Sequence, residues 1–314
     1  MPPIVQIARV AQIARVTQAP GFIAALDQSG GSTPAALRQY GAPDDAYTDG
    51  AQTDEARMFA LIQQMRERIM TSPAFTGTKI LAAILFDQTM DSHIQGRPLP
   101  AFLWEERQIA AFLKIDQGLE LERDGVRLMK PIPNLDGLLA RAAGLGVIGT
   151  KMRSVINAPS PTGVAAVVAQ QFALAARIAE HGLLPIVEPE ISLDALHESA
   201  AETLLSAHLR RALDALPPDR QVILKLSLPS HADFYADLAG HPRVARLLAL
   251  SGGYSRAQAC ARLSANHHMI ASFSRALLED LRYDTTPQAF DAALAAAVDQ
   301  IYRASVDKGP GASD

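Results

Sequence analysis

The sequence predicts an α/β protein that folds as a single (β/α)8 TIM barrel, and three observations support this fold class. Eight short apolar runs alternate with longer segments of helical periodicity, as parallel βα units require. No Gly-x-Gly-x-x-Gly motif follows the first run, which weakens the alternative of an open, doubly wound sheet. Polar side chains gather at the carboxyl end of each run, where barrels of this type build their sites.

The apolar runs give the predicted strands in chain order. They are GFIAALD (21–27), KILAAILF (79–86), AFLKID (111–116), VIGTKMR (147–153), LPIVEPE (184–190), VILKLSL (222–228), VARLLALSGG (244–253) and MIASFSR (269–275). Helical spacing and helix-ending residues predict helices at 54–70, 162–180, 194–214, 230–240 and 286–306. The second unit is long (87–110), and the turn residues of MDSHIQGRPLPAFL within it predict an extended loop.

A further helix is predicted at the amino terminus, where VQIARVAQIARV repeats a six-residue unit. Ile7, Val10 and Ile13 can share one face of that helix. We therefore expect a helical extension over residues 1–19, a barrel over 20–306 and a short tail over 307–314. No linker or second domain is indicated.

Composition narrows the class of partner and the compartment. The net charge of −4 leaves no basic face for nucleic acid, and no apolar run approaches the ~18 residues of a membrane span. The single cysteine, Cys260, excludes an internal disulfide and favours a reducing, cytoplasmic location. The amino terminus has Arg9 and Arg15 and no acidic residue before Asp27, so a transit peptide is the alternative.

Lysine is rare in this chain and is found at unusual places. Only six of the 29 basic residues are lysines, and three of them, Lys114, Lys151 and Lys225, lie in or beside apolar runs. Arginine cannot lose its proton in practice, whereas a lysine amine can be neutral and act as a nucleophile. Snorkelling side chains are the structural alternative.

The spacing of the charged residues places them on shared strand faces. Residues two apart on a strand point the same way, as Lys151 with Arg153 and Glu188 with Glu190 do on neighbouring strands. Lys225 lies on the next strand, so one ring presents lysine, glutamate and lysine. A buried amine near a second cation can form a Schiff base with a ketone, with a carboxyl group moving the protons. A buried ion-pair network without chemistry is the alternative.

Two segments near the last strands and one after the first strand predict anion sites. LSGGYSR (250–256) supplies Ser251, Gly252 and Gly253 before a helix, and ASFSR (271–275) supplies Ser272 and Arg275. In ALDQSGGST, Asp27 ends the strand and Ser29 and Ser32 lie in a glycine-rich turn, which also reads as a helix start.

No metal site or cofactor is predicted. The eight histidines lie outside the apolar runs, and neither His-x-x-x-His nor Cys-x-x-Cys occurs. The pair His267-His268 precedes the last strand, at the wrong end of a barrel for an active site.

With these motifs in this order, the chain resembles class I fructose-bisphosphate aldolases, the Schiff-base type, from about residue 20 to 305. The segments that carry the resemblance are GFIAALDQSGGST, ILFDQTMD, FLKIDQGL, GTKMRSV, LPIVEPE, LKLSLP, LSGGYSR and SFSRAL. The resemblance implies reversible cleavage of fructose 1,6-bisphosphate to two triose phosphates, without a metal. A Schiff-base aldolase for tagatose or sedoheptulose bisphosphate, a barrel glycosidase and a non-enzymatic barrel scaffold are the alternatives.

The resemblance also implies roles for individual residues. Lys225 matches the Schiff-base lysine, Glu188 the proton-shuttling glutamate and Asp27 the aspartate that takes the hydroxyl proton, while Lys151 and Glu190 match an adjacent charged pair. The sugar-phosphate and phosphate ligands that it implies are Lys114, Arg153, Ser251, Gly252, Gly253, Ser272, Arg275, Ser29 and Ser32.

The resemblance is incomplete at the carboxyl end. Animal members carry a tail tyrosine that reaches the site, but the last tyrosine here, Tyr302, is predicted within the closing helix.

The partner that the resemblance implies is a sugar phosphate, with a homo-oligomer possible.

Overall fold

Eight parallel strands close into a barrel in the computed structural model, which describes residues 3–29, 33–49 and 52–309. The side chains of residues 3–7, 49, 52 and 53 are outside this description. Each strand pairs with the next, and the last pairs with the first, which confirms the predicted closed barrel. The strands are β1 (Phe22–Leu26), β2 (Ile80–Leu85), β3 (Ala110–Lys114), β4 (Gly149–Ile156), β5 (Leu184–Ile191), β6 (Val222–Ser227), β7 (Val244–Leu250) and β8 (Met269–Phe273).

Helices surround the barrel and connect successive strands. In the described residues they are α1 (Pro3–Gln18), α2 (Thr33–Tyr40), α3 (Glu55–Thr71), α4 (Asp87–Met90), α5 (Leu99–Arg107), α6 (Leu135–Gly144), α7 (Pro161–Glu180), α8 (Glu198–Asp214), α9 (Ala236–Ala239), α10 (Arg256–Ser264), α11 (Arg275–Leu278) and α12 (Pro287–Val306). Tyr302 lies in α12, as expected.

Apolar side chains fill the barrel below the level of the polar rim. Ile23, Ile84, Phe112, Ile186 and Ile223 belong to this inner cluster and are fully buried. Gly149, on the neighbouring strand β4, leaves space for the Phe112 ring. A Cβ at this position would lie 2.4 Å from Cε1 of Phe112 and 2.2 Å from a main-chain oxygen. Glycine at that position therefore allows one aromatic ring to fill the barrel interior.

Helix α1 covers the amino-terminal end of the barrel. Val16 is fully buried in the inner cluster and Ile13 packs beside it. Arg9 donates to the carbonyl of Val147, 2.8 Å away, just before β4. Val10 is 63% exposed, so it does not join Ile13 on a buried face; the side chain of Ile7 is outside the description.

The connections differ from prediction in several places, of which residues 87–110 and 230–240 are two. Residues 87–110 are not one extended loop, because they hold α4, α5 and a hairpin of His93–Ile94 with Arg97–Pro98. Gln95 and Gly96 both have positive φ, 52° and 76°, which makes a two-residue hairpin turn. The helix predicted at 230–240 shrinks to α9, since Asp233 has a φ of 58° and breaks helical geometry.

By length and composition alone, α7 is long and apolar enough to cross a membrane. It is instead one of the helices around the barrel, where it packs against β4, β5 and α8. Its buried residues include Val164, Val167 and Ile178. A core helix of a soluble protein passes the same test of length and hydropathy, so the segment is weak support for a membrane span.

We expect Val16→Ala to lower the free energy of unfolding by about 1 to 3 kcal/mol, because it leaves a void beneath the barrel. Val10→Ala is the matched control in the same helix and should change that free energy by less than ~0.5 kcal/mol. Urea unfolding followed by circular dichroism measures both. Equal losses in the two variants would contradict the packing of α1 on the barrel.

Candidate active site

A cavity of about 330 Å³ opens at the carboxyl ends of the barrel strands. Five basic and three acidic side chains line it, so positive charge is in excess. Among the described residues, no group of three or more His, Cys, Asp and Glu side chains could hold a metal ion. The predicted site residues that line the cavity are Asp27, Lys114, Lys151, Arg153, Glu188, Glu190, Lys225, Ser251, Gly252, Ser272 and Arg275.

Four of these side chains form a continuous chain of ion pairs across the cavity floor. The Nζ of Lys151 lies 3.0 Å from Oδ2 of Asp27 and 2.6 Å from Oε2 of Glu188. The other oxygen of the Glu188 carboxylate, Oε1, lies 2.9 Å from Nζ of Lys225. All four residues are buried. One carboxylate therefore bridges the two lysines, and proton exchange between Glu188 and Lys225 needs no rearrangement.

The ion pairs shift the pKa values of three of these side chains, Asp27, Glu188 and Lys151. Burial raises the pKa of the Asp27 carboxyl, but the positive charges of Lys151 and Lys225 outweigh burial and hold that pKa well below its usual range. The same balance lowers the pKa of Glu188. For Lys151, burial lowers the pKa of the ammonium, and the charges of Asp27 and Glu188 overcome this and raise it. Lys151 is therefore a fixed cation.

The two buried lysines differ in their partners. Lys151 contacts two carboxylates, whereas in the described part of the chain Lys225 is ion-paired with Glu188 alone. Strand register does not place the three charged groups at one level, because Lys151 pairs with Ile186 while Glu188 pairs with Arg153. The slant of the barrel and the length of the lysine side chains bring them together.

Glu190 and Lys114 have partners that the sequence did not indicate. Glu190 forms an ion pair with Arg153 and not with Lys151, to which the resemblance joined it. The Nζ of Lys114 lies 2.7 Å from Oδ1 of Asp116 and also donates to the Asp116 carbonyl, 2.8 Å away. The sequence feature that could have indicated Asp116 is its position two residues after Lys114, at the end of a strand.

The predicted anion site after β7 and β8 comes together in space. The Nη2 of Arg275 donates to the Gly252 carbonyl, 2.7 Å away, and lies 3.6 Å from where a Cβ on Gly253 would be. The hydroxyl of Ser272 is buried, lines the cavity and has no hydrogen-bond partner in the described residues. Ser251 is buried beside it in the lining.

The turn after β1 contributes a residue that was not predicted. Gln28 lines the cavity, and its side-chain amide donates to the Ser274 hydroxyl, 2.6 Å away. Gln28 and Ser274 adjoin two predicted residues in sequence, which was the available signal. Ser29 lies outside this cavity, in a neighbouring one that it shares with Gln28 and Thr33. Ser32 is outside the described residues.

Comparison with known structures supports the fold. The fructose-bisphosphate aldolase from Plasmodium falciparum, solved in complex with TRAP and a small-molecule inhibitor, superposes with a TM-score of 0.71 at 20% identity. It covers 99% of this chain and 98% of that one. A protein from Corynebacterium glutamicum gives a TM-score of 0.54 at 15% identity, over 97% and 98% of the two chains.

Comparison of sequences identifies the family. The model of the family described as fructose-bisphosphate aldolase class-I matches residues 53–226. A protein from Synechocystis sp. named fructose-bisphosphate aldolase class 1 is 49% identical over 295 residues, which are 94% of this chain and 97% of that protein. Both matches span the strands that carry the lysines and glutamates of the cavity, and the chain belongs to the class I fructose-bisphosphate aldolase family.

Proposed function

We propose that the protein cleaves fructose 1,6-bisphosphate reversibly into glycerone phosphate and glyceraldehyde 3-phosphate through a Schiff base on Lys225. One observation carries the proposal: the buried amine of Lys225 faces the cavity 2.9 Å from a carboxylate oxygen of Glu188. Lys151 lines the same cavity, but two carboxylates hold it as a cation. Lys114 pairs with Asp116 near its own strand end, so Lys225 is the lysine whose amine lies beside the carboxylate of Glu188 without a second acidic partner in the described residues, and we assign the Schiff base to it.

Imine formation needs a group that moves protons beside the amine. Glu188 accepts a proton from the Lys225 ammonium, and the free amine then adds to the ketone carbon of the substrate. The same carboxyl group returns the proton to the carbinolamine hydroxyl, which leaves as water. The 2.6 Å contact with Lys151 keeps the Glu188 carboxyl in place between steps.

Carbon–carbon cleavage follows from the iminium. Asp27 accepts the proton of the hydroxyl on the carbon beyond the breaking bond, and its lowered pKa keeps it ionised for this role. The bond electrons pass to the iminium nitrogen and give an enamine, while the aldehyde product leaves. Protonation of the enamine carbon and hydrolysis then release glycerone phosphate and the free lysine.

The excess of basic residues accounts for a doubly phosphorylated substrate. Arg275, Ser251, Ser272 and the backbone near Gly252 offer donors for one phosphate, at the carboxyl ends of β7 and β8. Lys114 and Arg153 lie among the basic residues of the same cavity and are assigned to the rest of the sugar phosphate. Ser29, Gly253 and Ser32 are assigned to the phosphate turns from their sequence positions.

The compartment is proposed from cysteine chemistry. The single cysteine, Cys260, is buried and free, and a chain that cannot form an internal disulfide suits a reducing cytoplasm. A homo-oligomer stays a prediction.

Borohydride trapping tests the proposal directly. With fructose 1,6-bisphosphate present, mass spectrometry should find one reduced adduct on Lys225. Lys225→Arg should abolish both the adduct and at least about 99.9% of kcat, because arginine stays protonated and cannot form the imine.

The matched control is Lys130→Met, which removes an exposed lysine and should keep adduct and activity. An adduct on Lys151 in place of Lys225 would contradict the assignment, and loss of wild-type activity on adding a chelator would contradict a metal-free reaction. Tagatose and sedoheptulose bisphosphates, assayed alongside, should give lower kcat/KM than fructose 1,6-bisphosphate.

The charge of Lys151 predicts a pH effect. Lys151→Met removes the largest influence that lowers the Glu188 pKa and leaves Asp27 to repel that carboxylate, so the pKa of Glu188 must rise. The acid limb of the pH profile for borohydride-trapped imine formation should therefore move up by about one pH unit or more. Adduct formation measured in the wild type and in Lys151→Met from about pH 4 to about pH 9 checks this. An unmoved acid limb would show that Glu188 does not limit the rate in acid.

A further inference from the structure

Ser227 makes an unusual pair of hydrogen bonds beside the proposed nucleophile. It lies two residues after Lys225 on β6 and is 4% exposed. Its hydroxyl donates to the carbonyl of Ile191, 2.8 Å away, and accepts from the amide of the same residue, 3.0 Å away. Ile191 is the last residue of β5, next to Glu190. One side chain therefore takes both backbone groups at the end of the neighbouring strand.

These bonds lie where backbone pairing between the two strands has ended. The paired residues of β5 and β6 are Ile186 with Ile223 and Val187 with Leu224. Pairing thus stops one residue before Glu188 and Lys225. On their other sides the two strands are paired to their ends, β5 with β4 and β6 with β7.

At the level of the site, β5 and β6 therefore have no paired residues. On one side β4 and β5 hold Glu188, and on the other β6 and β7 hold Lys225. In the described residues, the side-chain polar contacts between β5 and β6 at this level are the Glu188–Lys225 ion pair and the two hydrogen bonds of Ser227. The ion pair changes when the amine becomes an imine, whereas the Ser227 bonds do not take part in the chemistry.

We propose that Ser227 is a positioning residue, an inference that rests on the proposed function. Its hydroxyl ties the end of β6 to the end of β5 and so sets the distance between the Glu188 carboxylate and the Lys225 amine. The hydroxyl can do this because it is donor and acceptor at once. Without it, two buried backbone groups lose their partners and the strand ends can part. Proton transfer depends steeply on that distance, while phosphate binding on other strands does not.

The test compares Ser227→Ala with Ser227→Thr and Ser227→Cys in the full chain. Ser227→Ala should lower kcat and the rate of borohydride-trapped imine formation by about 10- to 100-fold, with KM for fructose 1,6-bisphosphate within about threefold. Ser227→Thr keeps the hydroxyl and should recover kcat to within about threefold of wild type. Ser227→Cys keeps the size with a weak donor and should fall between them.

Ser154→Ala is the matched control. Ser154 is a fully buried serine on β4, and its hydroxyl has no hydrogen-bond partner in the described residues. This variant should keep wild-type kcat. A purely structural role for Ser227 would lower thermal stability and leave kcat of the folded enzyme unchanged.

Each outcome decides between the claims. A wild type that forms a Lys225 adduct, with Ser227→Ala folded and within about twofold of wild-type kcat, overturns the positioning role alone. Full kcat in Ser227→Cys overturns it even if Ser227→Ala does not fold. Equal losses in Ser154→Ala and Ser227→Ala also overturn it. A wild type without any Lys225 adduct overturns the proposed function together with this inference.

Discussion

The carboxylate of Glu188, held between the ammonium groups of Lys151 and Lys225, is the interaction on which the site depends. Each of its oxygens faces one lysine, at 2.6 Å and 2.9 Å. Buried charges are costly to remove from water, so such a group is stable only when every partner is in place. Asp27 completes the chain from the opposite side through Lys151. Four strands must therefore keep their relative positions, which a closed barrel ensures.

The two ends of the barrel contribute differently to holding these ion pairs in place. Below the site, apolar side chains such as Phe112 fill the interior and α1 covers the amino-terminal opening. This packing excludes water and makes the charge interactions above it stronger. At the rim, charged side chains and loop residues line the cavity, with cations in excess. The apolar lower half and the charged upper half together suit a reaction that passes through a cationic imine.

Much of this could be predicted because strands impose a period of two. Lys225 in VILKLSL, Glu188 with Glu190, and Lys151 with Arg153 stand out from apolar sequence, and their place at strand ends predicts one shared rim. The partners within that rim were less accessible. Glu190 pairs with Arg153 rather than Lys151. Gln28, which follows β1, donates to Ser274, which follows β8, across the two strands that close the barrel. Such choices depend on strand slant and loop path, which no local spacing records. Helices α4 and α5 and the hairpin in residues 87–110 were missed for a different reason, since turn residues also begin helices.

The sequence by itself determined the barrel, the set of charged residues at its carboxyl end and the family, because apolar periodicity and ordered motifs are local properties. Only the tertiary structure decided that, among the described residues, Lys151 contacts two carboxylates and Lys225 contacts one. That distinction arises from contacts between β1, β4, β5 and β6, which are far apart in the chain. The early end of pairing between β5 and β6, and the Ser227 hydroxyl that bridges it, likewise follow from how the closed sheet is sheared.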